Sequence, residues 1–272
     1  MEYTEVQFIC SEPEIAMAYL AEIGFDSFAE SDSGFMAYIP SRLFDENTIR
    51  KTLFTNNVQC RFSWKQLEDI NWNQVWESNY EPVTIAGQCY VRAPFHPSKP
   101  EAGLEIIIEP KMSFGTAHHE TTSLMIEIIL SMQLKDKDIL DMGCGTGILA
   151  ILAEKRQAHS VDAIDNDEWA YNNTLENINN NHRSKIKATL GDANLLTKNV
   201  YDVVFANINR NILLNDMAKY AGSLKNGGIL LMSGFYQNDI AAIEAEATKN
   251  NLKIDFYHTK NDWAAVHCTL NR

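Results

Sequence analysis

Asp138-Ile-Leu-Asp-Met-Gly-Cys-Gly-Thr-Gly147, followed by the apolar run Ile148-Leu-Ala-Ile-Leu-Ala153 and then by Ser160-Val-Asp-Ala-Ile-Asp165, is the stretch on which the fold turns. It reads as strand, glycine loop, helix and second strand of an open α/β domain. Gly143, Gly145 and Gly147 occupy every second position, which permits positive φ and close approach of the backbone to a ligand. Ile148, Leu149, Ile151 and Leu152 supply one helix face, and Val161, Ala163 and Ile164 a buried strand. That strand ends in Asp165, about twenty residues beyond the loop, where an acid can hold ribose hydroxyls.

Downstream, apolar strand signals at 186–190, 200–206, 229–233, 253–258 and 264–270 alternate with helical patterns at 168–180, 212–224 and 239–249. This alternation predicts a mostly parallel sheet that binds ligands at the carboxyl ends of its strands. Gly143, Asp165, Asp192 and Asn207 each lie at such an end. In the asparagine-rich helix 168–180, Trp169, Leu175 and Ile178 are expected to face inward and the asparagines to face solvent. A dinucleotide loop carries its third glycine five positions after the first; here that position is Ile148. The pattern is instead Asp141-x-Gly-x-Gly-x-Gly.

The first segment reads β-α-β-β-α-β, the order of a small ferredoxin-like domain. Val6, Phe8 and Cys10 alternate as in a half-buried strand, Ser11 and Pro13 mark a helix start, and Gly34-Phe35-Met36-Ala37-Tyr38 is a strand. An RNA-stacking strand would need a basic residue before the glycine and two aromatics on one face. Ser33 precedes the glycine, and Phe35 and Tyr38 fall on opposite faces. Residues 66–82 hold Trp72, Val75, Trp76 and Asn79 at helical spacing and predict a linker helix. The expected division is therefore 1–65, a recognition domain; 66–82, a linker; and 83–272, an α/β domain of Rossmann-like type.

The chain has 272 residues and a net charge of −13, which disfavours a sequence-independent grip on nucleic acid and suits a basic protein partner. No apolar run is long enough for a membrane span, and Met1-Glu-Tyr-Thr-Glu5 lacks the basic and apolar regions of a signal peptide. A cytoplasmic monomer is the expectation. The five cysteines form no C-x-x-C pair and are odd in number, so free thiols are expected for all of them.

Upstream of the glycine loop, Phe114-Gly-Thr-Ala-His-His-Glu-Thr-Thr122 leads into a helix, offering hydroxyls and free N–H groups to a ligand. The paired histidines lack metal-ligand spacing, so no metal is expected; either could act as a base. The Asp-x-Gly-x-Gly-x-Gly loop, Asp165, Gly191-Asp192-Ala193 and Asn207 together resemble the class I S-adenosylmethionine-dependent methyltransferases. Phe114-Gly-Thr-x-x-His-x-Thr-Thr122, the Trp72 and Trp76 segment and the small first domain resemble the ribosomal protein L11 methyltransferase family over nearly the whole chain. Ala117, His118 and Glu120 stand where that family has Gly, usually Thr, and Pro.

The resemblance implies an enzyme that moves methyl groups from S-adenosylmethionine to lysine and N-terminal amines of a ribosomal protein, with the first domain recognising that substrate. It implies Thr122, Gly143, Asp165 and Asn207 as cofactor contacts, to which the strand-end reading adds Gly145 and Asp192. Asn207 is also the candidate catalytic residue, orienting the incoming amine. Two alternatives stay open: the same scaffold acting on another protein or a small molecule, because fold does not fix substrate, and a non-catalytic S-adenosylmethionine-binding module.

Overall fold

The computed structural model describes residues 3–10, 12–31, 34–56, 58–66, 80–111, 113–198 and 200–271. The chain divides into two compact units, Met1–Tyr80 and Glu81–Arg272. The predicted linker helix, with Trp72 and Trp76, lies largely outside the described residues, as does Ser11.

In the first unit β1 (Tyr3–Cys10), α1 (Pro13–Glu22), β2 (Ser27–Ser31), β3 (Gly34–Pro40), α2 (Glu46–Thr55) and β4 (Cys60–Gln66) follow one another. The sheet is antiparallel in the order β2-β3-β1-β4. Val6 and Phe8 from β1 and Phe35, Ala37 and Ile39 from β3 form a buried face that Leu20, Ile49 and Leu53 of the two helices cover. Tyr38 points the other way, as strand alternation requires. Asp45 caps α2 by accepting the N–H groups of Asn47 and Thr48.

The expectation of five free thiols is wrong at two positions. Cys10 and Cys60 are disulfide-bonded. They stand directly opposite each other in the β1–β4 register, a pairing that only the sheet creates and that no spacing in the sequence announces. Cys89, Cys144 and Cys268 are free and buried.

The second unit opens with a three-stranded sheet, β5 (Val83–Ile85), β6 (Cys89–Arg92) and β7 (Leu104–Ile107). Then come α3 (Glu120–Ser131), β8 (Asp138–Met142), α4 (Ile148–Lys155), β9 (Ser160–Asp165), α5 (Glu168–Asn180), β10 (Ile186–Leu190) and β11 (Tyr201–Asn207). After these lie α6 (Arg210–Ser223), β12 (Leu224–Tyr236), α7 (Ile240–Lys249), β13 (Leu252–Lys260) and β14 (Trp263–Leu270).

The seven-stranded sheet has the order β10-β9-β8-β11-β12-β14-β13, parallel except for β14, which runs antiparallel to both neighbours. Alternate strand residues bury on opposite faces: Ile139, Val203 and Phe205 with α3 and α4, and Leu140, Val204 and Ala206 with α6 and α7. The order reverses between β8 and β11, which opens a crevice at their carboxyl ends.

The reading of α5 is corrected. Trp169 is 81% and Leu175 42% exposed, while Asn173, Thr174, Asn177 and Asn181 are buried. The cause is the free edge of β7, whose backbone groups need partners once covered. Asn181 takes the N–H of Ile107 on its Oδ1 (2.9 Å) and donates Nδ2 to the Ile107 carbonyl (2.6 Å). Asn177 Oδ1 accepts the Glu109 N–H at 2.7 Å, and Asn173 Nδ2 donates to the Glu109 carbonyl at 3.3 Å. Amides are the side chains that both give and take, so the buried face of this helix is polar.

Because the disulfide closes a loop with a sequence separation of 50, its removal should cost about 4 kcal/mol on the chain-entropy scale. A Cys10→Ser, Cys60→Ser double variant is expected to unfold at clearly lower denaturant concentration than the parent under non-reducing conditions. Alkylation of the unfolded, unreduced parent should label Cys89, Cys144 and Cys268 alone.

Candidate active site at the strand ends

The crevice holds a cavity of about 500 Å³ walled by the glycine loop, the end of β9, the segment after β11, and Phe114, His119 and Trp263. Its volume is in the range of small-molecule and cofactor sites. Two of the sequence motifs meet here. The Thr146 N–H donates to the Phe114 carbonyl (3.0 Å) and the Thr146 hydroxyl to the Gly115 carbonyl (2.6 Å). A Cβ on Gly145, which has φ +56°, would lie 2.3 Å from the Phe114 oxygen, and one on Gly143 would lie 2.2 Å from a methyl of Ile208. These glycines thus admit neighbouring protein as well as a ligand.

Asp165 ends β9 and is buried. Its Oδ2 accepts the Gly145 N–H (2.9 Å) and its Oδ1 the Asp167 N–H (3.0 Å), which leaves acceptor capacity on both oxygens for hydroxyls of a ligand. Beneath the loop, Asp141 Oδ2 accepts the Ala150 N–H at 3.0 Å, tying β8 to the first turn of α4. Burial raises its pKa to about 7; the Ala150 bond opposes that rise and the neighbouring Asp165 charge adds to it. Cys144 does not line the cavity. It is buried against the Thr174 hydroxyl, and burial pushes its thiol far above the ordinary range, so it fills a turn and is no nucleophile.

Asn207, the last residue of β11, donates Nδ2 to the Thr122 hydroxyl at 3.3 Å. Its Oδ1 is buried and has no hydrogen-bond partner among the described residues. Gly143, Gly145, Asp165 and Asn207 are brought together on the cavity wall. Thr122 and Asp192 are not among the lining residues. Thr122 is fully buried and touches the site through the Asn207 amide; Asp192 caps the 193–195 turn by accepting the Asn194 N–H.

Hydrogen bonds occupy both histidines. His119 caps α3: its Nδ1 accepts the Thr121 N–H and also meets the Thr121 hydroxyl, which puts the ring proton of the neutral form on Nε2. His118 Nε2 meets the Glu81 carbonyl at 2.9 Å. Neither ring offers a free lone pair to a reacting amine. Among the described residues no group of three or more His, Cys, Asp or Glu side chains is placed to hold a metal.

Trp263, at the start of β14, is a wall residue that no motif in the sequence marks. It meets His119 edge-on with ring centres 4.7 Å apart, His119 meets Phe114 at 5.1 Å, and Tyr236 lies over Trp263 at 4.3 Å. Nothing local in the sequence links Trp263 to Phe114. Ala117 adopts a left-handed φ of +70°, a conformation that favours glycine. Glu120 opens α3 and accepts a hydrogen bond from Asn261 at 2.8 Å.

The sequence profile described as "Ribosomal protein L11 methyltransferase (PrmA)" matches residues 22–271. The chain belongs to this family. A ribosomal protein L11 methyltransferase of Bacteroides thetaiotaomicron is 46% identical over 99% of this chain and 100% of its own length. One from Porphyromonas gingivalis is 46% identical over 94% of this chain and 90% of its own. A solved ribosomal protein L11 methylase of Lactobacillus delbrueckii subsp. bulgaricus superposes with a TM-score of 0.66 at 25% identity, covering 71% of this chain and all of the other. A methyltransferase of Pyrococcus furiosus shares the fold, with a TM-score of 0.52 at 16% identity over 61% of this chain and 90% of its own. As a member of the family the chain is a methyltransferase of class I fold, and its cofactor is S-adenosylmethionine. The cavity fits that group: Asp165 has acceptor capacity for a ribose, the glycine loop presents backbone, and the Asn207 oxygen awaits a donor.

Since its folded pKa lies above the unfolded value of about 3.9, Asp141 contributes most to stability below pH 4, and that contribution is lost as pH rises through about 7. Asp141→Asn keeps an acceptor for the Ala150 N–H and removes the charge. Thermal melts should show it gaining on the parent at pH 8 relative to pH 5, with a ceiling of about 3 kcal/mol.

Proposed function

We propose that this chain methylates lysine side chains and the terminal α-amine of the large-subunit ribosomal protein L11, using S-adenosylmethionine. Residues 83–272 carry the reaction, residues 1–65 recognise the ribosomal protein and residues 66–82 link the two. The net charge of −13 suits a basic protein substrate and suits nucleic acid poorly. No helix among the described residues is long and apolar enough to cross a membrane, and we take the enzyme to be a cytoplasmic monomer.

The observation that carries this reading is the orphaned Asn207 Oδ1. Methyl transfer from a sulfonium is an in-line displacement on an amine that must first be neutral. A lysine amine titrates near 10.4 and an α-amine near 8, so the acceptor must lose a proton before it can attack. Apolar walls such as Ile208, Phe114 and Trp263 disfavour the ammonium form by desolvation. A neutral amine donates to the Asn207 oxygen, whose direction is fixed because the other end of the amide is held by Thr122. That bond turns the nitrogen lone pair toward the donor methyl, and most of the rate then comes from the held geometry. With both histidines committed to hydrogen bonds, water takes the proton.

The bound cofactor supplies the electrophilic methyl group. Asp165 would hold its ribose and the Gly143–Gly147 backbone would run alongside it. Asp192 remains a candidate for the adenine edge.

Two measurements test the reading. Incubating the enzyme with methyl-labelled S-adenosylmethionine and total large-subunit ribosomal proteins should label L11; label on another protein or on none would overturn the substrate. Asn207→Ala should reduce turnover by 10²-fold or more, in line with the loss of a preorganised polar contact, while the fold persists. Full activity in that variant would remove Asn207 from the mechanism.

A further inference from the structure

Asn177 sits in the last turn of α5, fully buried, with no place in the chemistry described above. Its amide nevertheless spans the two loops that form the cavity. Nδ2 donates to the Thr146 carbonyl (2.9 Å) in the glycine loop, and Oδ1 accepts the Glu109 N–H (2.7 Å) where the chain leaves β7 for the loop that carries Phe114 and His119. Thr174, on the same helix face, donates its hydroxyl to the Gly145 carbonyl at 2.8 Å. The glycine loop reaches back through the Thr146 N–H and hydroxyl to Phe114 and Gly115. Residues 109–115 and 145–146 are thus joined at both ends by hydrogen bonds, three of them under 3 Å.

We infer that Asn177 is a positioning residue that couples the two loops, so that a ligand ordering the glycine loop also orders residues 109–119, on the acceptor side. The physical argument rests on geometry and burial. A side-chain amide with both ends bonded in a fully buried setting has one low-energy orientation, because either bond lost leaves an unpaired backbone group. Movement of Thr146 is therefore transmitted to Glu109 through a rigid three-atom bridge. Asn181 provides an internal control. One helical turn away, it is also buried and its amide makes three bonds to backbone, two to Ile107 and one back along the helix to the Asn177 carbonyl, none of which reaches the glycine loop. If buried asparagines in α5 served only to seal the β7 edge, the two would be equivalent.

This inference rests on the assignment of the cavity to S-adenosylmethionine, and the experiment separates the two. S-adenosylhomocysteine serves as the probe, with affinity read by calorimetry and hydrogen exchange followed in residues 109–119. In the unsubstituted protein the probe should slow exchange across that segment, the Glu109 amide included. Asn177→Ala should weaken binding by roughly tenfold, within the usual span of coupling between sites, and abolish that protection. Asn181→Ala should lose comparable thermal stability while keeping affinity within about twofold and keeping the protection, because its side chain makes no bond to the glycine loop and the Asn177 amide keeps both of its own. Equal affinity loss in both variants, or none in either, would overturn the coupling. So would an absence of protection in the unsubstituted protein bound to the probe, a result that stands even if Asn177→Ala does not fold. Failure of the unsubstituted protein to bind the probe at all would overturn the cofactor assignment, and this inference with it.

Discussion

The carbonyl of Phe114 sits where a side chain on Gly145 would be, and the next residue's N–H donates to it at 3.0 Å. The cavity depends on this backbone-to-backbone approach. It sets the loop that brings Phe114 and His119 against the loop that closes β8, and it does so with main-chain atoms, which have few alternative positions. The adjoining Asp165 carboxylate accepts the Gly145 N–H on the other side. A segment of three residues is thereby bonded from above and below before any ligand arrives, and such preorganisation lowers the cost of ordering a site on binding.

Around this contact the enzyme buries several polar side chains. Asp141, Asn173, Thr174, Asn177, Asn181 and Asn207 all lie inside the second unit. Buried polar groups cost stability unless they are bonded, and nearly all of these are, mostly to backbone that no strand pairs. Two oxygens are exceptions: that of Asn173 and that of Asn207. Asn207 lines the cavity, and in the proposed mechanism a substrate amine would complete its oxygen. On that proposal its unmet bond is a ground-state cost that would become specificity when the right donor enters, since a site built for a hydrogen bond rejects groups that cannot make it.

The apolar side of the cavity works in the opposite sense. Ile208, Phe114, His119 and Trp263 line it, with Tyr236 against Trp263, and in the proposed mechanism such walls would disfavour the ammonium form of the acceptor by desolvation.

The sequence by itself determined the parallel sheet, the place of the glycine loop, the acid at Asp165, the preference for S-adenosylmethionine over a dinucleotide, and Asn207 at a strand end. These are properties of spacing along a strand, a loop and a helix, and spacing is what a sequence displays. Only the tertiary structure decided which residues meet across long separations: Trp263 with His119, Thr122 with Asn207, Cys10 with Cys60, and the asparagines of α5 with the edge of β7. The asparagines show why. Read along the helix they look like a solvated face, because polarity in a sequence gives no sign of whether water or a neighbouring backbone will supply the hydrogen bonds. The unpaired edge of β7 settled that question, and it lies some seventy residues earlier in the chain.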